Sequence, residues 1–293
     1  MVTPIYRHQE TVSGFDATLF GLRAGDVHQL SDDSLGRGLD RLFDADRAAL
    51  VTKLVVALGK RFDVRFDQLH NDSTTIRLTG QYRAARGRTL RGRRAPWVTY
   101  GLSKEHRPDL KQLLFILTTT NDGGVPVHFR CADGNQADVT THVDTWETLR
   151  QVAGRPDFLY VADSKLCSRD TMAHIDREHG RLVTVLPRSR SEDPTFREWM
   201  QKNEPSWELV WNRPNPRRRY GPRDRWWVFK DPIPSAEAWP IIWVRSSLLA
   251  RHQEEARRDH LARADEELMA IKQRLASPRS RLRKAAEIDE RVD

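Results

Sequence analysis

Cysteine is scarce: Cys131 and Cys167 are the only two among 293 residues. Neither lies in a pair spaced for a metal, and two cysteines make no disulfide framework, which fits a reducing cytoplasm. Long hydrophobic runs are lacking as well. The stretch Leu113 to Leu117 falls far short of the ~20 apolar residues a membrane helix needs. The start Met1-Val-Thr-Pro-Ile-Tyr-Arg-His8 has no apolar core of the kind a signal peptide carries, so a soluble chain is expected. No glycine-rich phosphate loop of the Walker type occurs, and ATP hydrolysis is not indicated. His174 and His179 are off the i, i+4 zinc spacing with no suitable glutamate, and read as surface helix residues.

What is present points to a folded, basic protein. Nine tryptophans, with 38% hydrophobic and 31% charged residues, exclude wholesale disorder. The length allows one large domain or two ordinary ones, with a sizeable core. The net charge of +8 favours a polyanionic partner, because each phosphate neutralised by Lys or Arg releases a counterion.

The pattern predicts a helical N-terminal region over residues 1–62. Ser31 caps a helix with Asp32 and Asp33 in its first turn, where negative charge suits the dipole. Leu35, Leu39, Leu42 and Phe43, then Leu50, Leu54, Val55 and Leu58, recur at helical spacing. Residues 63–189 read as an α/β layer. Strands are expected over 66–76 and 112–120, with a hairpin turn at Asn121-Asp-Gly-Gly124 and a return over 125–131. Helix (138–153), strand (158–162), helix (168–179) and strand (182–186) follow. Residues 190–247 alternate β-prone pieces with Pro, Asn, Gly and Arg, as a β-rich insertion would. A charged helix is expected from Leu248 to Ala276, with Leu261, Ala264, Leu268, Ile271 and Leu275 marking one buried seam. Ser277-Pro278 breaks it, and a further helix is expected over 279–293.

Two aspartates carry the chemistry. Asp72 sits in Leu69-His-Asn-Asp-Ser-Thr-Thr75, and Asp163 ends the apolar run Phe158-Leu-Tyr-Val-Ala162. Carboxylates held rigidly at the ends of adjacent strands supply the hard oxygen ligands that Mg²⁺ demands, and two ions about 3.5–4 Å apart can clamp a phosphoryl displacement. The bland alternative is that each aspartate merely caps the turn or helix after it, and Asp163-Ser164 before a helix fits that well. Asp133 and Asp138 flank Gly134-Asn135, either as outer supports of such a site or as turn residues.

The strings around these residues decide between the two readings. Leu69 to Thr75, Gly80-Gln-Tyr82, Gly101-Leu-Ser-Lys-Glu-His-Arg-Pro-Asp-Leu-Lys-Gln112, Gly134-Asn135 and Val161-Ala-Asp-Ser164 together resemble an insertion-sequence transposase of the DDE type. Ser31-Asp-Asp-Ser-Leu-Gly-Arg37 with Leu39-Asp40 resembles the same group. The resemblance implies a ribonuclease-H-like α/β core with a mixed sheet, a helical N-terminal region, a β-rich insertion and a helical C-terminal end. It implies Mg²⁺, or Mn²⁺ in its place, held by Asp72 and Asp163. It also implies DNA partners (transposon ends and target), a homo-oligomer when complete, and a cytoplasmic, nucleoid-associated place in a bacterium. The family's glutamate sits in a string like Tyr-x-x-Arg-x-x-Ile-Glu-x-x-Phe-Arg-x-Leu-Lys, which this sequence lacks. Glu254, Glu255, Glu266, Glu267, Glu287 and Glu290 have no such surroundings. The expectation is a product truncated before that glutamate. A non-catalytic DNA-binding remnant or regulator, and a simple metal-dependent nuclease, are the alternatives.

Two basic tracts suit DNA. Arg83, Arg86, Arg88, Arg91, Arg93 and Arg94 crowd one loop. Arg213, Arg217, Arg218, Arg219, Arg223 and Arg225 interleave with Trp211, Tyr220, Trp226 and Trp227. Arginine pairs bidentately with phosphate and aromatics stack on unpaired bases, although each tract alone is also compatible with a solvated loop or a plain strand face. Lys104, His106, Arg107 and Lys111 are read as orienting DNA or as structural.

Overall fold

The computed structural model describes residues 4–45, 47–102, 107–215 and 221–276. They divide into two compact units with the boundary between Pro187 and Arg188.

Unit 1 opens with short helical turns over Ile5–Arg7, Ala17–Phe20 and Ala24–Leu30 around α1 (His8–Ser13), in a region whose sequence has little periodicity. Helix α2 (Asp32–Asp44) starts at Ser31, whose hydroxyl accepts the Ser34 amide, and carries Asp32 and Asp33 in its first turn as expected. Helix α3 (Arg47–Phe62) follows. Strand β1 (Gln68–Leu78), the two-residue strands β2 (Thr89–Leu90) and β3 (Arg93–Arg94), then β4 (Lys111–Thr120) and β5 (Pro126–Ala132) come next. After them run α4 (His142–Ala153), β6 (Leu159–Ala162), α5 (Arg169–Arg177) and β7 (Arg181–Val183). The last strand is shorter than the apolar run that announced it.

Five strands form one sheet in the order β5-β4-β1-β6-β7. The hairpin partners β4 and β5 and the pair β1 and β4 are antiparallel, whereas β6 runs parallel to β1 and β7 parallel to β6. Hairpin first and helical crossovers after is the mixed α/β arrangement of a ribonuclease-H-like core.

Alternation along the strands sorts the two faces. Leu69 of β1, Tyr160 and Ala162 of β6 and Val127 of β5 are buried in one cluster with Val55 of α3, Trp146 and Leu149 of α4, and Ile175 of α5. Trp146 stacks on Phe158 with centroids 6.1 Å apart. On β4, Gln112, Leu114, Ile116, Thr118 and Thr120 are buried, while Lys111, Leu113, Phe115, Leu117 and Thr119 are half-buried on the opposite face. Burying each large core side chain contributes about 1.5–3 kcal/mol.

Unit 2 adds a helix to the β-prone pieces read in the sequence. It begins with a helix, α6 (Glu192–Lys202), before β8 (Glu208–Arg213), β9 (Asp224–Lys230) and β10 (Ile242–Ser246) form an antiparallel sheet with β9 central. The aromatic packing explains α6. Phe196 stacks on Trp243 at 4.0 Å, and Trp199 on Phe229 at 5.6 Å, so the helix covers one face of the sheet. Beside α6, Arg190 donates to Glu192 and Glu237, each at 2.6 Å, with all three side chains under 20% exposed. The Arg190 hydrogen bond pulls the Glu192 carboxyl down to about 2. A depressed carboxylate contributes stability that is complete above its unfolded value near 4.5 and fades as pH falls towards 2. Arg190→Met should therefore cost about 2–3 kcal/mol at pH 7, where it strands two carboxylates together, and much less at pH 2.5. Thermal melts at the two pH values check this, and an equal loss at both would refute it.

Helix α7 (Ser247–Ala276) closes the described chain. None of its residues is buried, against the seam the sequence suggested. No helix of the described residues is long and apolar enough to cross a membrane.

Candidate metal and nucleic-acid site

Strands β1 and β6 pair in parallel as far as Asn71 opposite Ala162. Asp72 and Asp163 are the next residues on each, so the two backbones bring them side by side at roughly the 4.8 Å spacing of paired strands. Asp163 follows the end of β6, as expected. Asp72 lies within β1, not at its end, because β1 runs on beside β4 to Leu78. The sheet loses its β6 edge at Asp72, and this step leaves an open hollow of about 330 Å³ lined by His70, Asp72, Leu117, Thr119, Val161 and Asp163, with Asn71 and Ala162. Buried Asn71 accepts from Thr118 Oγ1 at 2.8 Å, fixing β1 against β4 beneath the site.

Both carboxylates are exposed and only partly engaged. Asp72 Oδ1 accepts its neighbour Ser73's amide at 2.7 Å. Asp163 Oδ1 accepts the Lys165 amide at 3.0 Å, and its carbonyl accepts from Thr184 Oγ1 at 2.6 Å. The turn role of Asp163 is thus real, yet it occupies one oxygen. Burial, with the nearby Asp163 charge, pushes the Tyr160 phenol up. Two hard carboxylates, each with an oxygen to spare and open to water on one sheet face, fit a divalent cation such as Mg²⁺ or Mn²⁺. Among the described residues no group of three or more His, Cys, Asp or Glu is placed to hold a metal.

The backbone at Gly101 packs closely against its neighbours. Residues 97–102 lie along the start of β4: the Thr99 amide donates to Gln112 O at 3.3 Å, and the Gln112 amide to Thr99 O at 2.8 Å. Gly134 crosses this ladder, donating to Trp97 O at 3.0 Å and accepting from Gln112 Nε2 at 2.7 Å. Here the backbones touch. A Cβ on Gly134 would lie 2.0 Å from Gln112 O, and one on Gly101 would lie 2.0 Å from Gly134 O. Asp133 clamps the same knot, accepting from Arg94 at 3.0 and 2.5 Å and from the Trp97 amide at 2.9 Å. The Arg94 hydrogen bonds hold its carboxyl below the usual range. Nothing in the sequence singled out Asp133 as this clamp, because its partner is 39 residues away.

The first arginine tract divides. Arg91 bridges Asp40 and Asp44 of α2 at 3.1 and 2.7 Å, Arg93 donates to Asp44 O at 2.9 Å, and Arg94 is held by Asp133. These three fasten a small β2–β3 hairpin, which turns at Arg91 and Gly92 with positive φ at both, as tight hairpins require. Arg83, Arg86 and Arg88 are exposed and have no acidic partner among the described residues. Arg107 pairs with Asp109 at 2.7 Å, and Lys111 donates to Gln81 O beside the Tyr100 ring. Lys104, His106, Arg217, Arg218 and Arg219 lie outside the described residues. Trp226 is exposed and registers opposite Trp211, whose ring carries the Arg213 guanidinium at 4.1 Å. Trp227, on the opposite face of β9, is half-buried beneath Arg245 at 5.6 Å. The two tryptophans therefore do not present one continuous platform.

No family model matches the chain, and no curated protein sequence matches it. Among solved structures, it is similar to the piggyBac transposase in a synaptic complex with hairpin DNA, with 12% identity and a TM-score of 0.31 over 62% of this chain and 33% of that one. It is also similar to the Mos1 mariner paired-end complex with Mn, with 11% identity and a TM-score of 0.27 over 69% of this chain and 66% of that one. The match thus spans about a third of the piggyBac chain and just under two thirds of the Mos1 chain.

Proposed function

We propose that this chain is a DNA transposase of the DDE type, from an insertion sequence, that works with Mg²⁺ or Mn²⁺. The observation that carries the reading is the juxtaposition of Asp72 and Asp163, each with an oxygen to spare, inside the very strings that resemble the family. When bound, the divalent ions supply Lewis acidity at the scissile phosphate. The chain's own part is to hold them through Asp72 and Asp163 and to guide the duplex with free arginines. The reaction is hydrolysis at a transposon end, freeing a 3′ hydroxyl that then attacks a target phosphodiester. The test is titration of the chain with Mn²⁺, together with cleavage of transposon-end DNA in Mg²⁺. Binding lost in Asp163→Asn and Mg²⁺-dependent strand-transfer products support the reading. Nicks without strand transfer would indicate a simple nuclease.

A second reading, a non-catalytic DNA-binding remnant or regulator, is favoured by the lack of a three-ligand cluster among the described residues. Salt-dependent DNA binding with no Mg²⁺-dependent cleavage would select it. In either case Arg83, Arg86 and Arg88 have no acidic partner among the described residues. Replacing all three by Ala should reduce the slope of log K against log [salt] by about 3. Replacing Arg91 and Arg93, which hold α2, should change stability more than slope. An unchanged slope in the triple variant would remove this tract from the DNA interface.

A further inference from the structure

Helix α7 leaves its apolar stripe bare. Only its first turns are tied down, by Arg251 donating to Asp224 at 3.3 Å and the Leu249 amide to Ser246 Oγ at 3.4 Å. Beyond them Leu261, Leu268 and Leu275 are 60%, 47% and 38% exposed. A long helix draws its stability from packing an apolar face more than from propensity, so this stripe calls for a partner. Its spacing says which kind. Leu261, Ala264, Leu268, Ile271 and Leu275 alternate steps of three and four, the 3.5-residue repeat of a left-handed coiled coil, here with Leu at a and Ala or Ile at d.

The flanking charges choose both partner and direction. With Leu261, Leu268 and Leu275 at a, the g positions are His260, Glu267 and Arg274, and the e positions are Arg258, Asp265 and Lys272. A parallel second copy sets each g residue against the e residue five further along in its partner. Glu267 then meets Lys272, and His260 meets Asp265, in both symmetry-related directions. An antiparallel copy that stacks Leu261 on Ile271 and Leu268 on Ala264 sets Glu267 against Glu267, Asp265 against Asp265, and Arg258 against Lys272. Opposite charges in one arrangement face like charges in the other.

We infer that α7 is a dimerisation helix, which pairs in parallel with α7 of a second copy of this chain through the Leu261–Leu275 seam. The inference needs neither DNA nor metal, so its failure and that of the proposed function are separable. The test is sedimentation of the full chain at micromolar concentration, with Leu268→Glu on the seam and Met269→Glu one residue off it. The wild type and Met269→Glu should sediment as dimers, and Leu268→Glu as a folded monomer with an unchanged circular dichroism spectrum. In a Cys131→Ser, Cys167→Ser background, Leu268→Cys should oxidise to a covalent dimer, because a parallel pair puts equivalent a positions in contact. A monomeric wild type overturns the inference. If Leu268→Glu then also lowers Tm where Met269→Glu does not, residues 277–293 of the same chain are the cover. A dimer that survives Leu268→Glu, or that fails to cross-link through Leu268→Cys, overturns it as well.

Discussion

Gly134→Ala is expected to destabilise unit 1 by about 3 kcal/mol or more, the upper range for overpacking, and to lower its melting temperature by roughly 6–12 °C. The atoms a new Cβ would meet are Gln112 O at 2.0 Å and Thr99 O at 2.6 Å. Both are backbone oxygens, so no side chain can swing aside. Relief requires residues 97–102 to move off the start of β4, breaking the Thr99–Gln112 pair and the bond from Gln112 Nε2 to Gly134 O. Gly36→Ala supplies the contrast. It sits in α2 with nothing within 4 Å of its Cβ position, and helix propensity predicts a gain of up to about 1 kcal/mol. Chemical denaturation of the two variants checks the pair. A Gly134→Ala protein as stable as the wild type would mean that the 97–102 ladder is not part of the native state.

That knot shows what the sequence could and could not convey. Strings such as Gly101 to Gln112 and Gly134-Asn135 are recognisable as family-like, and their polar residues read either as serving the site or DNA or as structural. In the fold, Gly101, Gln112 and Gly134 are where three backbone segments meet, a constraint between residues up to 33 positions apart that no local pattern encodes. The strands were legible for the opposite reason. Burial on β4 alternates along its whole length, and the Asn-Asp-Gly-Gly turn declares the β4–β5 hairpin. Helix α6 went unseen because Phe196 and Trp199, its contacts to the sheet, resemble β-prone aromatics when the neighbouring text is full of them. The α7 stripe lies where the repeat predicts it, yet none of its residues is buried. Periodicity reports that a helix has an apolar face, not whether its own unit covers it. Arginine spacing is equally silent on which members of the tract have acidic partners: Arg91 meets Asp40 and Asp44, 51 and 47 residues earlier, while Arg83, Arg86 and Arg88 meet none among the described residues.

On the proposed reading, Asp163→Asn and Asp72→Asn should lower metal-dependent cleavage by about a thousandfold or more, since several kcal/mol of transition-state stabilisation would pass through ions held by these carboxylates. The same substitutions should leave the fold intact. Asparagine keeps the Oδ1 that accepts the Lys165 amide at residue 163 and the Ser73 amide at residue 72, so both local hydrogen bonds survive. The electrostatics make a sharper prediction that needs no DNA. Two like charges on adjacent paired strands repel when no cation lies between them, at a cost of about 1 kcal/mol near a surface. Metal-free Asp163→Asn should therefore melt at or slightly above the wild-type temperature. Mn²⁺ should raise the wild-type melting temperature and leave both variants unmoved, because a ligand stabilises only the state that binds it. Equal Mn²⁺ shifts in wild type and variants would place the cation elsewhere and leave Asp163 as a turn former and Asp72 as an ordinary strand residue.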